Sequence, residues 1–355
     1  MSLKKILLAL FIPLLVYGCA AKPLPDLVWP QDPKEIPRIK YVKAYYGGNA
    51  FKEANLAAEL ILGGEGSFLM KKPMGAYVDH EGTLYVTDTA VQDVFVFNQS
   101  KKTTTSLRQM GVREINKPIA IASDEKTGRI FFTDSFANWV TVLNKDGSVV
   151  TIDAADAPEK FKQPTGVAVD PVKRRLYVTD TQHHNIKVFD ADTLKYVSTI
   201  GTRGKEGGQF NFPSHITTDK NGRLYVTDTQ NGRVEVFNNE GKFIMAFGQL
   251  GDLPGMFGRP KGIGVDSEGH IYIADAAFNN IQIFDEEGRI LLSFGGFGEG
   301  RGEMILPAGL AVDRDDYIYV VDSWGRRVNI YEYLGEKHKE REARAASQPP
   351  VPKKP

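Results

Sequence analysis

Three of the six histidines lie close together in the chain and carry the side chain that zinc prefers. His183 and His184 are adjacent in the segment TDTQHHN, and His215 follows in FPSHITTD. If the fold brings these three imidazoles together, they predict a metal site for zinc or another soft ion. Calcium, which takes oxygen ligands, is the other metal that we keep open. Polar loop histidines are common, however, so we favour a protein without a cofactor and keep the metal site as the alternative.

A second set of residues has the chemistry of a binding surface. Tryptophan, phenylalanine and arginine are enriched as anchors of protein interfaces. Seven such residues fall in segments typical of loops and loop ends, and these are Phe136, Trp139, Arg233, Phe278, Trp324, Arg326 and Arg327. We expect them to form one face that binds a protein or an extracellular polymer. The alternative is that each aromatic ring packs on its own repeat and each arginine is solvated.

These residues are positioned by a repeat of about 47 residues that occurs six times. The copies begin KPMGAYVD, KPIAIASD, QPTGVAVD, FPSHITTD, RPKGIGVD and LPAGLAVD. Their prolines are Pro73, Pro118, Pro164, Pro213, Pro260 and Pro307, spaced 45 to 49 residues apart. Each copy predicts four short strands joined by Asp, Gly and Asn turns, the pattern of a propeller blade. The sequence therefore predicts an all-β, six-bladed β-propeller.

The two ends of the chain are expected to meet in the last blade. The sixth copy runs through VNIYEYL to Leu334 and then becomes highly charged, so it lacks a fourth strand. Residues 38–47, RIKYVKAYYG, repeat the fourth-strand pattern of GKFIMAFG. We predict that this N-terminal strand completes the last blade, closes the ring and covers an edge that would otherwise favour aggregation.

One aspartate recurs at the end of every second strand, and we interpret it as structural. The six are Asp88, Asp134, Asp180, Asp228, Asp275 and Asp322. A carboxylate at this place can accept backbone N–H groups of the following turn. Residues that differ between blades are therefore the informative ones. We expect any site on the face that carries the loops into the first strands and the loops between second and third strands.

The repeated phrases Pro-x-Gly, Val-Asp, Tyr-Val-x-Asp and Val-Phe-Asp resemble the NHL repeat. The resemblance spans residues 38–334 and implies a bacterial secreted or lipid-anchored six-bladed propeller. The NHL family includes a zinc-dependent amidating lyase with histidines from several blades, whereas only His215 stands on a first strand in this sequence. Calcium-dependent lactonases with six blades need acids and an Asn at the axis, and these first strands are small and apolar up to their final Asp.

The N-terminus predicts export and a lipid anchor. Lys4 and Lys5 precede an apolar run from Ile6 to Tyr17 that is too short to cross a bilayer as a helix. The segment LVYGC resembles a bacterial lipoprotein box, which makes residues 1–18 a signal peptide and Cys19 the lipidated residue; the alternative is an ordinary secreted protein. Ala20 implies sorting to the outer membrane of a Gram-negative cell. Residues 19–37, including the lipidated cysteine, form a proline-rich tether.

Charge and the remaining segments complete the prediction. The 44 basic and 44 acidic residues cancel, and residues 38–334 carry 34 basic against 38 acidic residues, so a nucleic-acid partner is not expected. Residues 51–62, FKEANLAAELIL, lengthen one loop and predict a short amphipathic helix. The tail, residues 335–355, is charged and ends in prolines.

Taken together, the sequence favours an envelope-anchored binding or scaffold propeller over an enzyme. Its partner is expected to be a protein or an extracellular polymer, with contact to the membrane through the lipid on Cys19. The alternative function is a metal-dependent lyase or hydrolase with its site in the channel near His215.

Overall fold

Six small antiparallel sheets surround a central channel in the computed structural model, which describes residues 24–48, 50–51 and 68–347. The chain begins with two short elements, β1 (Val28–Trp29) and β2 (Ile39–Tyr45). Each later repeat then forms one sheet, as the spacing of the six prolines predicts. The predicted all-β, six-bladed propeller is therefore confirmed.

Blades 1 to 3 each contain four strands in chain order from the axis outward. Blade 1 consists of β3 to β6, which are Pro73–Val78, Thr83–Asp88, Asp93–Asn98 and Thr103–Ser106. Blade 2 consists of β7 to β10, which are Pro118–Asp124, Arg129–Asp134, Trp139–Leu143 and Val149–Ile152. Blade 3 consists of β11 to β14, which are Pro164–Asp170, Arg175–Asp180, Asn185–Asp190 and Tyr196–Ile200. A 3-10 turn, Thr181–His183, precedes its third strand.

Blades 4 to 6 continue the pattern. Blade 4 consists of β15 to β18, which are Pro213–Thr218, Leu224–Asp228, Arg233–Phe237 and Phe243–Phe247. Blade 5 consists of β19 to β22, which are Pro260–Val265, Ile271–Asp275, Asn280–Phe284 and Ile290–Gly295. Blade 6 contains β23 to β25, which are Pro307–Val312, Tyr317–Asp322 and Arg327–Tyr333.

The N-terminal strand closes the ring, as predicted. β2 pairs antiparallel with β25, from Ile39 opposite Tyr333 to Tyr45 opposite Val328. The short β1 then pairs with β2 and adds a fifth strand to blade 6, although the sequence predicts only a tether in this region. Blade 6 is therefore held by both ends of the chain.

The residues of the repeat explain how neighbouring blades join. Each inner strand begins with proline, which can stand there because the inner edge faces the channel and needs no donor to a further strand. In blades 1 to 3, the threonine before the final aspartate of the second strand donates to a carbonyl group of the next blade, as Thr87 Oγ1 does to Ile119 at 2.8 Å. At Gly309 an added Cβ would lie 2.5 Å from the Met74 carbonyl oxygen, so only glycine allows that approach. One apolar cluster fills each of the six interfaces between blades.

The C-terminal helix α1 (Glu336–Ser347) lies against blade 6 through charged groups, and none of its residues is buried. Arg341 pairs with Glu332 at 2.6 Å and stacks over Tyr317 at 4.8 Å. No helix in the described part of the chain is long and apolar enough to span a membrane. The predicted signal peptide, the lipidated Cys19, residues 52–62 of the predicted insert helix and the last eight residues lie outside the described residues.

Two faces follow from this connectivity. The upper face carries the loops that lead into the first strands and the loops between second and third strands. The lower face carries the loops between first and second strands and those between third and fourth strands. Both faces surround the channel that the inner strands line.

Candidate functional site

The recurring aspartates shape the upper face. The buried carboxylate of Asp134 accepts the N–H groups of Asn116 and Lys117 through one oxygen, at 2.7 and 3.1 Å. Its other oxygen accepts those of Phe136 and Ala137, at 3.1 and 3.0 Å. Equivalent buried carboxylates accept backbone N–H groups in the other blades, at Asp88, Asp180, Asp228, Asp275 and Asp322. Their predicted structural role is confirmed.

A groove of about 300 Å³ lies on the upper face between blades 1 and 2. Its lining includes the exposed ring of Phe136, the lysines Lys72 and Lys117, and the amides Gln92 and Asn116. Phe136 is 75% exposed, which is a large fraction for an aromatic side chain. No ion pair joins either lysine to another described residue. We call this feature the upper groove.

The other predicted face residues lie apart from the upper groove or inside the protein. Trp324, 68% exposed, and Phe278, 38% exposed, lie on loops of blades 6 and 5. Leu306 lies between these loops, and its N–H donates to Asn279 Oδ1 at 2.8 Å. Arg326 is exposed beside Trp324, whereas the half-buried Trp139 begins the third strand of blade 2. The aromatic residues therefore form two separate areas on the upper face instead of one.

Arg233 and Arg327 are a correction to the predicted face, because both are structural. The side chain of Arg233 is only 15% exposed, and it pairs with Asp228 and Glu235. It also donates to three carbonyl groups of the loop into blade 4. Arg327 pairs with Asp322 at 2.9 Å and donates to the carbonyl groups of the loop into blade 6. Neither guanidinium is available to a partner.

The three histidines bind different neighbours. His183 Nδ1 lies 2.7 Å from the Asp180 carboxylate, and its Nε2 lies 3.4 Å from Glu159. His184 Nδ1 accepts the Phe212 N–H at 3.1 Å, so in the neutral ring the proton is on Nε2. Burial is the main cause that lowers the pKa of His184, which keeps the ring neutral. The two neighbouring imidazoles therefore have separate partners.

His215 lies at the axis and has a defined proton position. Thr229 Oγ1 donates to the Pro260 carbonyl at 2.9 Å, so it accepts the proton of Ser214 Oγ at 2.6 Å. Ser214 then accepts from His215 Nδ1 at 3.1 Å. The Nε2 atom consequently carries a buried lone pair without a partner among the described residues. Burial, and then Lys261, lowers the pKa of His215 to about 3, so the ring is neutral.

The described residues do not fit a resident metal ion. No group of three or more His, Cys, Asp or Glu side chains in the described ranges is arranged so that it could hold a metal ion. The unpaired nitrogen of His215 has hydroxyl groups as neighbours and a lysine that acts on it as a positive charge. The metal site predicted from His183, His184 and His215 is therefore not assembled by these side chains.

A cavity opens on the lower face and lies in the channel. It has a volume of about 400 Å³ and takes at least one lining residue from every blade. An aliphatic ring, formed by Ala76, Ile121, Val167, Ile216, Ile263 and Leu310, narrows the channel above it. Beyond this ring, a space of about 40 Å³ lies beside His215. We call the larger cavity the funnel.

Two parts of the chain match known protein families. Residues 63–248, which contain blades 1 to 4, match the family described as the SMP-30/Gluconolactonase/LRE-like region. The chain belongs to this family. Residues 258–345, which contain blades 5 and 6 and most of α1, match a family described as a 6-bladed beta-propeller. No curated protein matches the sequence.

Solved structures support the fold of this SMP-30/gluconolactonase/LRE-like chain. The match to a gluconolactonase from Xanthomonas campestris covers 74% of this chain and 86% of the gluconolactonase, with 15% identity and a TM-score of 0.58. Virginiamycin B lyase from Staphylococcus aureus gives 74% and 95% coverage, 16% identity and a TM-score of 0.53. An auxiliary nutrient binding protein from Bacteroides thetaiotaomicron gives 75% and 70% coverage, 13% identity and a TM-score of 0.60. At these identities the likeness shows the fold alone.

Sequence reasoning missed two features of this family member. It did not single out Lys72 and Lys117, although each stands directly before the proline of a repeat. It also placed any site on the upper face, whereas a cavity of about 400 Å³ opens on the lower face. The signal for the funnel was the small and aliphatic character of the first strands, which sequence reasoning used only as an argument against catalysis.

Proposed function

We propose that the protein is a binding module of the cell envelope whose upper groove docks an acidic extracellular polysaccharide. The observation that carries this proposal is the union of an exposed aromatic ring, two lysines and two amides in one groove. An aromatic face stacks on the C–H face of a sugar, amides bond to hydroxyl groups, and ammonium groups pair with uronate carboxylates. Of the two partner classes expected from the sequence, this groove supports a polymer better than a protein.

Calorimetric titration of the full chain tests the proposal with polygalacturonate and, as the neutral probe, dextran. We expect binding of polygalacturonate only, and weaker binding at higher salt because the lysine contacts are screened. Phe136→Ala and the double change Lys72→Gln with Lys117→Gln should each weaken it about tenfold.

Matched control variants exist on the same molecule. Phe297 is 72% exposed on the loop into blade 6, and Lys101 and Lys145 are exposed on the lower face. Phe297→Ala and the pair Lys101→Gln with Lys145→Gln should leave binding unchanged. Absence of binding to either polymer, together with crosslinking of a protein to the upper face in the native envelope, would replace the polymer with a protein partner.

We further propose that the protein is exported and held in the outer membrane of a Gram-negative cell through lipid on Cys19. The lipoprotein-box resemblance of LVYGC supports this location. The resemblance of the repeats to NHL repeats, which implies a secreted or lipid-anchored propeller, also supports it. Metabolic labelling with a radioactive fatty acid should mark the wild type, and Cys19→Ser should abolish the label and release the protein from membranes. Label retained in the variant would contradict the anchor.

A second candidate function is a metal-dependent lyase or hydrolase in the channel. The one observation that favours it is the buried, unpaired Nε2 of His215. The neighbouring hydroxyl groups and Lys261 argue against it. Mass spectrometry of the gently purified full chain tests it: stoichiometric zinc or calcium that His215→Ala removes would support an enzyme, and metal-free protein would leave the binding module.

A further inference from the structure

The funnel is a cavity in the channel that the proposed polymer site does not use. Its volume of about 400 Å³ falls within the range of about 300–1,000 Å³ for small-molecule sites. Strands rise about 3.3 Å per residue, so the strand part of the wall from Ile121 to Asp124 is about 10 Å long. Lys126 follows in the turn beyond it. The funnel therefore has room for a slender ligand that enters from the lower face.

The inner wall of the funnel is aliphatic. Ile121, Val167 and Ile263 are each 4% exposed, whereas residues of the second strands behind them are fully buried. Nearer the mouth, Val169, Val265 and Val312 are only half-buried. Apolar side chains that face an open cavity gain free energy when an apolar group replaces water. The lower half of the channel thus favours an alkyl chain.

Four aspartates and Glu125 line the mouth, and other groups of the protein already satisfy them. Glu125 accepts from the Tyr77 hydroxyl at 2.9 Å and contacts His80. Asp219 accepts the N–H groups of Asn221 and Arg223 through one oxygen and the Tyr225 hydroxyl through the other. Asp79 and Asp313 do the same in blades 1 and 6. Asp124 receives a bidentate pair from Arg174, with both distances 2.6 Å. These acids are structural acceptors and have little capacity left for a cationic ligand.

Three cations at the mouth, unlike these acids, lack a close ion-pair partner. Lys126, Lys220 and Arg314 line the funnel and follow the last aspartate of the first strand in blades 2, 4 and 6. Lys126 has a loose contact of 3.8 Å with Asp192, and Arg314 has one of 3.9 Å with its sequence neighbour. Lys220 donates to a carbonyl group at 3.0 Å and has no ion pair with a described residue. Positive charge therefore comes from alternate blades around an apolar well.

We propose that the funnel binds a small amphiphilic anion, an alkyl chain that ends in a carboxylate. The chain enters the aliphatic well as far as the ring of Ile121, Val167 and Ile263, and the carboxylate stays at the mouth. There it meets Lys126, Lys220 and Arg314. The site is distinct from the upper groove because the aliphatic ring separates the two faces of the channel.

Calorimetric titration of the full chain in detergent-free buffer tests this site. Octanoate, decanoate and dodecanoate vary the tail, while decan-1-ol and decyltrimethylammonium keep the tail of decanoate and change its head. Burial of two further methylene groups should tighten binding about tenfold from octanoate to decanoate. Decanoate should bind about tenfold more tightly than the alcohol and the cation. Absence of binding for all three carboxylates would overturn the proposal.

Charge reversal locates the carboxylate. Lys126→Glu, Lys220→Glu and Arg314→Glu change exposed side chains, so the triple variant should fold. It should lose decanoate affinity about tenfold and gain affinity for decyltrimethylammonium. The matched control reverses three exposed lysines of outer loops on the same face, Lys101, Lys145 and Lys195, and should bind decanoate as the wild type does. Unchanged decanoate binding in the triple variant would overturn the site, whatever the polymer does at the upper groove.

Discussion

At the scale of single residues, His215 is the strongest departure from the repeat. Glycine stands at its position in four blades and alanine in one, namely at Gly75, Ala120, Gly166, Gly262 and Gly309. A buried imidazole at the axis is therefore specific to blade 4. Because the ring is neutral in the folded protein and ionises easily in the unfolded chain, it links stability to pH.

We predict that His215 destabilises the folded protein as the pH falls. Its pKa is about 3 when folded, against an ordinary value of 6.5. The unfolded chain then binds a proton between these values while the folded protein does not, so the stabilising contribution is complete above pH 6.5 and is lost on acidification. Relative to His215→Ala, the wild type should lose about 2–3 kcal/mol of unfolding free energy between pH 6.5 and pH 4.5.

Urea unfolding of both proteins at several pH values measures this difference. Other titrating groups are common to the two proteins and cancel. Ile216→Ala is the control, because it also removes a buried side chain at the axis but no titrating group. The difference in unfolding free energy between Ile216→Ala and the wild type should stay constant with pH. A constant difference for His215→Ala as well would show that the ring does not behave as a buried neutral group.

The corner aspartates give a second prediction at this scale. Asp134→Ala would leave four partly buried N–H groups without their acceptor, and we expect a loss of about 2–4 kcal/mol. Asp134→Asn keeps one side-chain oxygen as an acceptor, so its stability should lie between that of Asp134→Ala and that of the wild type. Asp146→Ala changes an exposed turn residue and should have little effect. Equal melting temperatures for Asp134→Ala and Asp146→Ala would contradict the structural role of this carboxylate.

The same residues show what a sequence can and cannot reveal. The role of Asp134 was predictable, because six copies of one residue in one phase point to the fold. The role of Arg233 was not, because an arginine that holds a loop and an arginine that faces solvent occupy similar sequence contexts. Only the contacts with Asp228 and Glu235 separate the two cases.

At the scale of elements, the closing strand β2 should be essential for a closed ring and β1 should add stability only. β2 covers the whole edge of β25, whereas β1 adds a two-residue pair outside it. Removal of residues 1–23 should leave the melting temperature and the monomeric state unchanged. Removal of residues 1–37 should lower the melting temperature but leave a monomer, because it removes the buried Trp29 that packs on Phe294 and Tyr331. Removal of residues 1–46 exposes the β25 edge and should cause aggregation in size-exclusion chromatography.

These truncations contain their own control, since the shortest one removes no described element. A monomeric protein with unchanged melting after removal of residues 1–46 would contradict closure by β2. The element itself was predictable from its match to the fourth-strand pattern of the other blades. β1 was not, because a pair of residues between prolines has no periodicity of its own, and the neighbouring strand alone gives it a partner.

At the scale of the whole molecule, the fold was predictable and the sites were not, for one physical reason. A repeat reports what every blade needs, so it specifies strands, corners and closure. A binding site depends on what side chains from different blades do together. Phe136 and Lys117 of blade 2 meet Lys72 of blade 1 only across a blade interface, and the funnel exists only after six inner strands surround an axis.

The equivalence of the blades leads to a last prediction, that the position of the chain ends in the ring can be moved. The native ends meet in blade 6, where the Leu334 N–H donates to the Arg38 carbonyl at 2.8 Å. Joining these residues by a short glycine-serine linker and opening the chain between Glu240 and Gly241 moves the ends to blade 4. There β18 becomes the N-terminal strand and pairs with β17, as β2 pairs with β25 in the native chain. Because the arrangement is the same, the permuted protein should be monomeric, and its melting temperature should be close to that of residues 38–334 in native order.

A second permutant, opened between Gln230 and Asn231, cuts the loop between the second and third strands of blade 4. The Asn231 side chain in this loop donates to Asp228, so this permutant should melt at a lower temperature. If both permutants melted alike, closure between third and fourth strands would have no special role, and stability would come from the blade interfaces alone.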